Sequence, residues 1–289
     1  MNGILLVNKP QGMTSHDVVN IVRRLYHTKK VGHTGTLDPD ATGLLILGIN
    51  DGTKIIKFFN QDEKTYQARI AIGSSTTTLD KTGTVIATKE VTSLEGVDDV
   101  LESFKGNYHQ TPPMYSAIKY NGKRLYEYAR EGITIEDRPS RDVKIIDIKR
   151  ISDILYKNNH AYFDYLVYGT KGLYVRTLSY DIGAKLGYPA HNYELHRIQA
   201  GPFHIKDSYT LDDLKNDIPT PIPLGDALSF LPAIMADETI YDDVRHGRAL
   251  DRIVEGPVRI LDSNSNLLAV YDNHPDKPLL KAINVFIKE

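Results

Sequence analysis

The sequence predicts an α+β fold: a mixed, mainly antiparallel sheet with separate helices, followed by a small β-rich unit at the C-terminus. Three observations carry this. Strand-like and helical segments are interspersed along the first two hundred residues. Prolines 219, 221, 223 and 232 then fall close together and mark a boundary. Beyond them come only short β-like runs. The predicted units are therefore residues 1–232 and 233–289.

Ile4-Leu5-Leu6-Val7 reads as a first strand. Asp17 to Tyr26 places apolar residues at Val18, Val19, Ile21, Val22 and Leu25, a helical spacing, with Ser15 as N-cap. A loop of Gly, Thr, Asp and Pro spans Gly32 to Gly43, and Leu44 to Ile49 is a buried strand. Tyr66 to Gly73 alternates with period two, as a half-buried strand does. Val97–Phe104 and Arg124–Arg130 read as helices, the second closed by Gly132. Residues 143–148 and 161–167 read as strands, and Leu173 to Leu186 as a helix ending at Gly187. The C-terminal runs are 258–261, 267–271 and 283–286. There is no internal repeat and no low-complexity tail.

The chain has 289 residues, enough for a sizeable core and a second small domain, and 41% of them are hydrophobic. No apolar run approaches the ~20 residues needed to span a bilayer. Residues 1–15 lack the cationic start and long apolar core of a signal peptide. Zero Cys excludes disulfides and thiolate metal sites. The expectation is a soluble, cytoplasmic protein. The net charge of −2 hides an asymmetry: residues 1–206 carry 27 Lys+Arg against 22 Asp+Glu, residues 207–289 carry 8 against 15. A modestly basic N-terminal part permits phosphate binding without being diagnostic of it.

The Gly32–Gly43 loop suits the holding of one carboxylate in a fixed, semi-buried pose. Pro39 biases Asp38 towards extended backbone, and the glycines allow tight turns or close approach of a ligand. Asp38-x-Asp40-x-Thr42-Gly43 imitates the start of a calcium loop, but position twelve is Ile49 where a bidentate Glu is required. Gly32-x-x-Gly35-Thr36 lacks the Gly-Lys-Ser/Thr of a phosphate-binding loop. On its own, the Asp-Pro pair reads as an Asx-turn. No second His, Cys or carboxylate spacing completes a zinc site for His33.

The wider string resembles a known family. Asn8-Lys9-Pro10-x-Gly12-x-Thr14-Ser15-His16 and Gly32-His33-Thr34-Gly35-Thr36-Leu37-Asp38-Pro39-x-Ala41-Thr42-Gly43 are similar to the opening of the bacterial tRNA pseudouridine-55 synthases, the TruB family. Lys64-Thr65-Tyr66, Thr111-Pro112-Pro113-x-Tyr115-Ser116-Ala117-x-Lys119 and Lys171-Gly172-x-Tyr174-Val175-Arg176-Thr177 follow in order. The resemblance covers about the first two hundred residues. Leu173 stands where the family usually has Thr, and Leu195-His196-Arg197-Ile198 fits the family's stretch only in part.

The resemblance implies an isomerase of the pseudouridine synthase fold, with a PUA-like RNA-binding module in residues 233–289. It would isomerise uridine-55 in the T-loop of tRNA by base flipping, with no cofactor and no metal. Asp38 would be the nucleophile or base, and Arg176 its bidentate partner in a dry pocket. Tyr66, the third catalytic residue, would stack on the target base with its hydroxyl serving near the C5 proton. Tyr174 and Leu195 would line the same pocket, Lys9 would contact substrate, and His33 would fill the space left by the flipped nucleotide. From the residues alone, Arg176 is a surface ion-pair former worth at most about 1 kcal/mol, and Tyr66 a core aromatic in a strand.

An RNA-gripping insertion is expected around 105–142. Tyr115 to Arg124 mixes aromatics with cations around Asn121-Gly122, a strong hairpin signal, and Lys119, Lys123 and Arg124 are the expected phosphate contacts. The expected partner is the tRNA T-arm, with no membrane, no obligatory protein partner and a monomeric chain. The rivals are a guide-RNA-dependent synthase subunit and a non-catalytic tRNA-binding or folding protein.

Overall fold

The computed structural model describes residues 1–59 and 63–287. Its centre is a ten-stranded sheet. The strands used below are β1 (Gly3–Lys9), β2 (Val31–Thr34), β3 (Thr42–Ile49), β4 (Lys64–Ile72), β5 (Gly106–Gln110), β6 (Arg141–Arg150), β7 (His160–Gly169) and β8 (Ala190–Ala200). Their order across the sheet is β1-β3-β8-β4-β7-β6-β5, with β2 also pairing on β3. Two helices matter for the site, α1 (Ser15–Leu25) and α2 (Val175–Lys185). This is the mixed, mainly antiparallel sheet that the sequence predicts.

β1 and β3 are apolar without alternation because both faces of this part of the sheet are covered. Leu5, Val7, Leu45, Leu47 and Ile49 pack against Val18, Val19 and Val22 of α1. Ile4, Leu6, Leu44 and Ile46 face the other way and share a core with Leu228 and Leu231 of the boundary segment and with Leu261, Leu267 and Val270 of the C-terminal part. β4 and β7 send Tyr66, Ala68, Ile70, Ile72, Phe163, Tyr165 and Val167 into a third cluster, closed by Val175, Leu178 and Ile182 of α2.

β8 joins the two halves of the sheet. It runs antiparallel to β4 over its length but parallel to β3 through only two pairs, His196 with Thr42 and Arg197 with Gly43. Gly43 has φ +105°, and a Cβ there would lie 2.3 Å from the Arg197 carbonyl oxygen, so only glycine permits this approach.

Several expectations need correction. The cap of α1 is Thr14, whose hydroxyl accepts from Asp17 N while the Asp17 carboxylate accepts from Thr14 N, a capping box. Ser15 is instead the first helical residue, and it is buried. The loop predicted over 32–43 shrinks to 35–41, because residues on both sides join the sheet as β2 and β3. The helix expected from Leu173 starts at Val175, since Tyr174 is extended, and Gly187 closes it at φ +80° as predicted. β5 and β8 carry no apolar alternation and were not predicted as strands. β8 is central to the sheet and keeps polar residues His191, Asn192 and Arg197 buried.

The C-terminal part forms a five-stranded sheet of Ala233–Met235, Leu250–Asp251, Val258–Leu261, Leu267–Asn273 and Leu279–Val285, with an unpredicted helix at Glu238–Arg245. The last predicted run, 283–286, is the end of a strand that begins at Leu279. Among the described residues no helix is long and apolar enough to cross a membrane.

Candidate active site

The Gly35–Ala41 segment is short, so its shape depends on what holds it. Ser15 Oγ accepts from Leu37 N at 3.0 Å and donates to Leu37 O at 3.2 Å. Gly12 N donates to Pro39 O at 2.9 Å. The fully buried Lys9 ammonium donates to Pro39 O at 3.1 Å, Met13 O at 2.7 Å and Pro10 O at 2.9 Å. Both neighbours of Asp38 are thereby tied to the start of α1 and the turn before it. The bland alternative, Asp38 bonding only its own turn, gives way to a carboxylate held from outside.

Asp38 keeps 44% of its side chain exposed, and Arg176 Nε meets its Oδ2 at 3.0 Å. Arg176 is buried at the first turn of α2, its side chain only 6% exposed. The pair is single-pronged. The rest of the guanidinium is committed elsewhere: Nη1 to Thr78 O at 3.0 Å and Asp80 Oδ2 at 3.4 Å, Nη2 to Tyr115 O at 2.9 Å. The bidentate geometry expected from sequence is therefore replaced by a four-way junction. A charge so fully bonded and buried is far from a surface ion pair. Asp80 is itself held by Thr78 and Thr82 hydroxyls.

Tyr66 lies on β4 opposite Arg197 of β8 and Val167 of β7, in the same buried cluster as Leu37 and Ala41. Tyr174 caps the start of α2, where its backbone N donates to Gln110 Oε1 at 2.8 Å and its ring lies under the Arg141 guanidinium at 5.6 Å. Burial pushes the Tyr174 phenol up; the Asp38 charge adds to this, while Arg141, the nearby Ser116 hydroxyl and Arg176 oppose it. That phenol and the Asp38 carboxylate thus share one field. Leu195 is half-buried on β8 against the same cluster and also lines a polar cleft of about 340 Å³ with Thr42, Gln67, Asp40 and His196.

His33 sits on β2 opposite Leu47. Burial lowers its pKa, with the Arg197 and His16 charges acting in the same direction, so the imidazole is neutral. Its Nδ1 is buried and meets no hydrogen-bond partner among the described residues. Among those residues no group of three or more His, Asp or Glu side chains is placed to hold a metal ion.

The cationic hairpin is Lys119–Tyr120 paired with Lys123–Arg124, turned by Asn121 at φ +48° and Gly122 at φ +83°. These angles are those of a tight two-residue hairpin, as the sequence predicts. Lys119 and Arg124 are exposed. Lys123 is engaged with the Glu131 carboxylate and lies over the Tyr128 ring at 4.9 Å, so its charge is partly spent within the element. The hairpin touches the junction through the chain itself, since Tyr115 O, a few residues earlier, accepts from Arg176.

Lys9 departs most from expectation. A cation with zero exposure and three carbonyl partners has no face left for an RNA phosphate; it braces the Asp38 loop. Sequence reasoning passed over Ser15 as a loop brace, Asp80 as an Arg176 partner and Arg197 as a buried cation. For Asp80 the only hint was a Thr-rich turn, Thr76 to Thr84. For Arg197 the sequence carries no signal, because the strand that holds it shows no apolar alternation.

Comparison with known proteins places these residues in context. The family model described as TruB family pseudouridylate synthase (N terminal domain) matches residues 23–175, and the one described as tRNA pseudouridylate synthase B C-terminal domain matches 176–219. The tRNA pseudouridine synthase B of Bacillus pumilus (strain SAFR-032) is 44% identical over 294 residues, covering 96% of this chain and 94% of that protein. Its counterpart in Bacillus subtilis (strain 168) is 42% identical over 306 residues, covering 100% and 99%. Among solved structures, a Cbf5-Nop10-Gar1 complex matches with TM-score 0.71 at 23% identity, over 99% of this chain and 84% of the matched chain. An H/ACA RNP bound to a substrate RNA containing 2'-deoxyuridine matches with TM-score 0.71 at 22% identity, over 99% and 85%. At these identities the structural likeness speaks for the fold alone.

Proposed function

Because the chain belongs to the TruB family of pseudouridylate synthases, we propose that it isomerises uridine-55 in the T-loop of tRNA to pseudouridine, with Asp38 as the essential carboxylate. The isomerisation breaks the uracil N1–C1′ bond, turns the base, joins C5 to C1′, releases the C5 proton and protonates N1. The single observation that carries the assignment is the Asp38–Arg176 pair, a part-exposed carboxylate on a loop braced from both sides and met by a buried guanidinium. A group that acts on C1′ must be fixed in direction, and this arrangement supplies that. Asp38 serves as nucleophile or as base toward the ribose–uracil unit.

The other residues follow from this. Tyr66 stacks on the target base, and Tyr174 and Leu195 line the pocket that retains the detached uracil. The target nucleotide has to be extruded from the folded loop before it reaches Asp38, and neutral His33 is suited to the apolar space left behind. The hairpin at 119–124 grips the T-arm through Lys119, Arg124 and, once its Glu131 partner is displaced, Lys123. Residues 1–232 form the catalytic unit and 233–289 a PUA-like module. The chain works as a monomer without guide RNA.

The test is release of tritium from tRNA carrying uridine labelled at C5. The wild-type chain alone should release one equivalent, and Asp38→Asn none, with tRNA affinity nearly unchanged. Tight binding without release would refute a stand-alone synthase and support a binding protein or a guide-dependent subunit.

A further inference from the structure

Arg197 is the largest fully buried side chain in the protein's described part, 1% exposed, and it lies at the one place where β3 and β8 meet in parallel. Among the described residues no carboxylate lies within ion-pairing distance of it. Its guanidinium bonds backbone oxygens instead: Nη2 donates to Gly35 O at 2.7 Å and Nε to Leu44 O at 2.8 Å. Gly35 opens the Asp38 loop and Leu44 lies just past its end.

We propose that Arg197 is a positioning residue for the Asp38 chemistry: its guanidinium clips the two ends of the catalytic loop together and so fixes where the carboxylate stands. This rests on the reading of Asp38 as the catalytic carboxylate. A buried cation without an anion is costly, and replacing it by a well-packed apolar side chain is often neutral or stabilising. Fold stability therefore does not account for an arginine here. What the planar fork offers is two donors in fixed directions, aimed at two carbonyls that belong to opposite ends of one loop.

The glycines agree with this. Gly35 has φ +67°, and a Cβ on it would stand 3.1 Å from Arg197 Nη1. Gly43 has φ +105° and lies against the Arg197 backbone. Both glycines that flank the loop thus make room for the same residue. Combined with Ser15 at Leu37 and Lys9 and Gly12 N at Pro39, the clip fixes the backbone from which the Asp38 side chain reaches Arg176. The β2–β3 ladder, which ends at Thr34 opposite Ile46, would still hold the strands without it, but Gly35 and Leu44 would lose their shared donor, and the loop beyond the ladder would shift Asp38 away from Arg176 Nε. A displacement of about 1 Å at a reacting group costs on the order of 100-fold in rate.

The experiment compares wild type, Arg197→Met and Arg197→Lys. Each is assayed for single-turnover tritium release at saturating enzyme, for tRNA affinity by filter binding, and for folding by thermal melting. Arg197→Met should slow release about 100-fold with affinity changed less than about threefold. Arg197→Lys keeps the charge without the fork and should fall between. A folded variant of either kind releasing at within about threefold of the wild-type rate would overturn the proposal. So would affinity falling in step with rate, which marks lost binding rather than lost positioning. Failure of both variants to fold would equally overturn it, because the arginine would then be architectural. A wild-type chain that releases no tritium would instead strike down the synthase reading itself, and this role with it.

Discussion

Lys9 offers a quantitative test of how the Asp38 loop is held. Burial pulls its pKa down from 10.5 to about 8, with Arg197 acting the same way and Asp38, Asp40 and Asp17 opposing. The unfolded chain holds that proton up to pH 10.5, so between about 8 and 10.5 the unfolded state binds more protons than the native one. Stability conferred at this position therefore rises with pH across that window. The penalty for keeping the ammonium buried is fully present below pH 8 and is relieved as the pH approaches 10.5. The gap between the two pKa values corresponds to roughly 3 kcal/mol, of which about 2.5 kcal/mol falls between pH 7 and 10.

The perturbation is Lys9→Met, which keeps the length of the side chain and removes its charge. Pro39 O retains its bond from Gly12 N in this variant, and Pro10 is exposed, so the loss at pH 7 should be modest. Urea denaturation of both proteins at half-unit steps from pH 7 to 10 gives a difference free of the other titrating groups, which are common to the pair. Wild type should gain about 2.5 kcal/mol on the variant across this range. A difference that stays constant within about 0.5 kcal/mol would mean that the Lys9 pKa is not depressed and that the burial argument is wrong.

Two further outcomes follow. Changing Lys119, Lys123 and Arg124 together to Ala should weaken tRNA binding and lower the salt slope of log affinity by about 2, measured by filter binding from 50 to 300 mM salt; an unchanged slope would remove the hairpin from the RNA interface. Gly43→Ala would set a Cβ 2.3 Å from the Arg197 carbonyl oxygen at φ +105°, and should cost at least about 3 kcal/mol in urea denaturation.

Local patterns were legible where the physics is local. The apolar run at Ile4–Val7, the helical spacing of Val18, Val19 and Val22, the Asn121-Gly122 turn and Gly187 as helix stop each depend on neighbours a few residues away. The α+β class and the C-terminal β-rich part followed from them. Asp38, Tyr66 and Arg176 were picked out because motif order is also a property of the chain, and the structure brings Asp38 and Arg176 to 3.0 Å.

What tertiary structure alone decided concerns where polar groups end their bonds. Lys9 reads as a substrate cation in sequence, and nothing within its own segment reveals that Pro39 O, thirty residues away, accepts a hydrogen bond from it. Ser15 reads as a helix cap, yet its hydroxyl serves Leu37. β8 was invisible because its alternation is polar; it is a strand because β4 lies along its whole length. Amino-acid order determined which groups could do chemistry here, since side-chain type and backbone freedom are properties of the residue. Which of those groups face the substrate, and which are spent holding others in place, depends on long-range hydrogen bonds and burial that exist only once the chain has closed on itself.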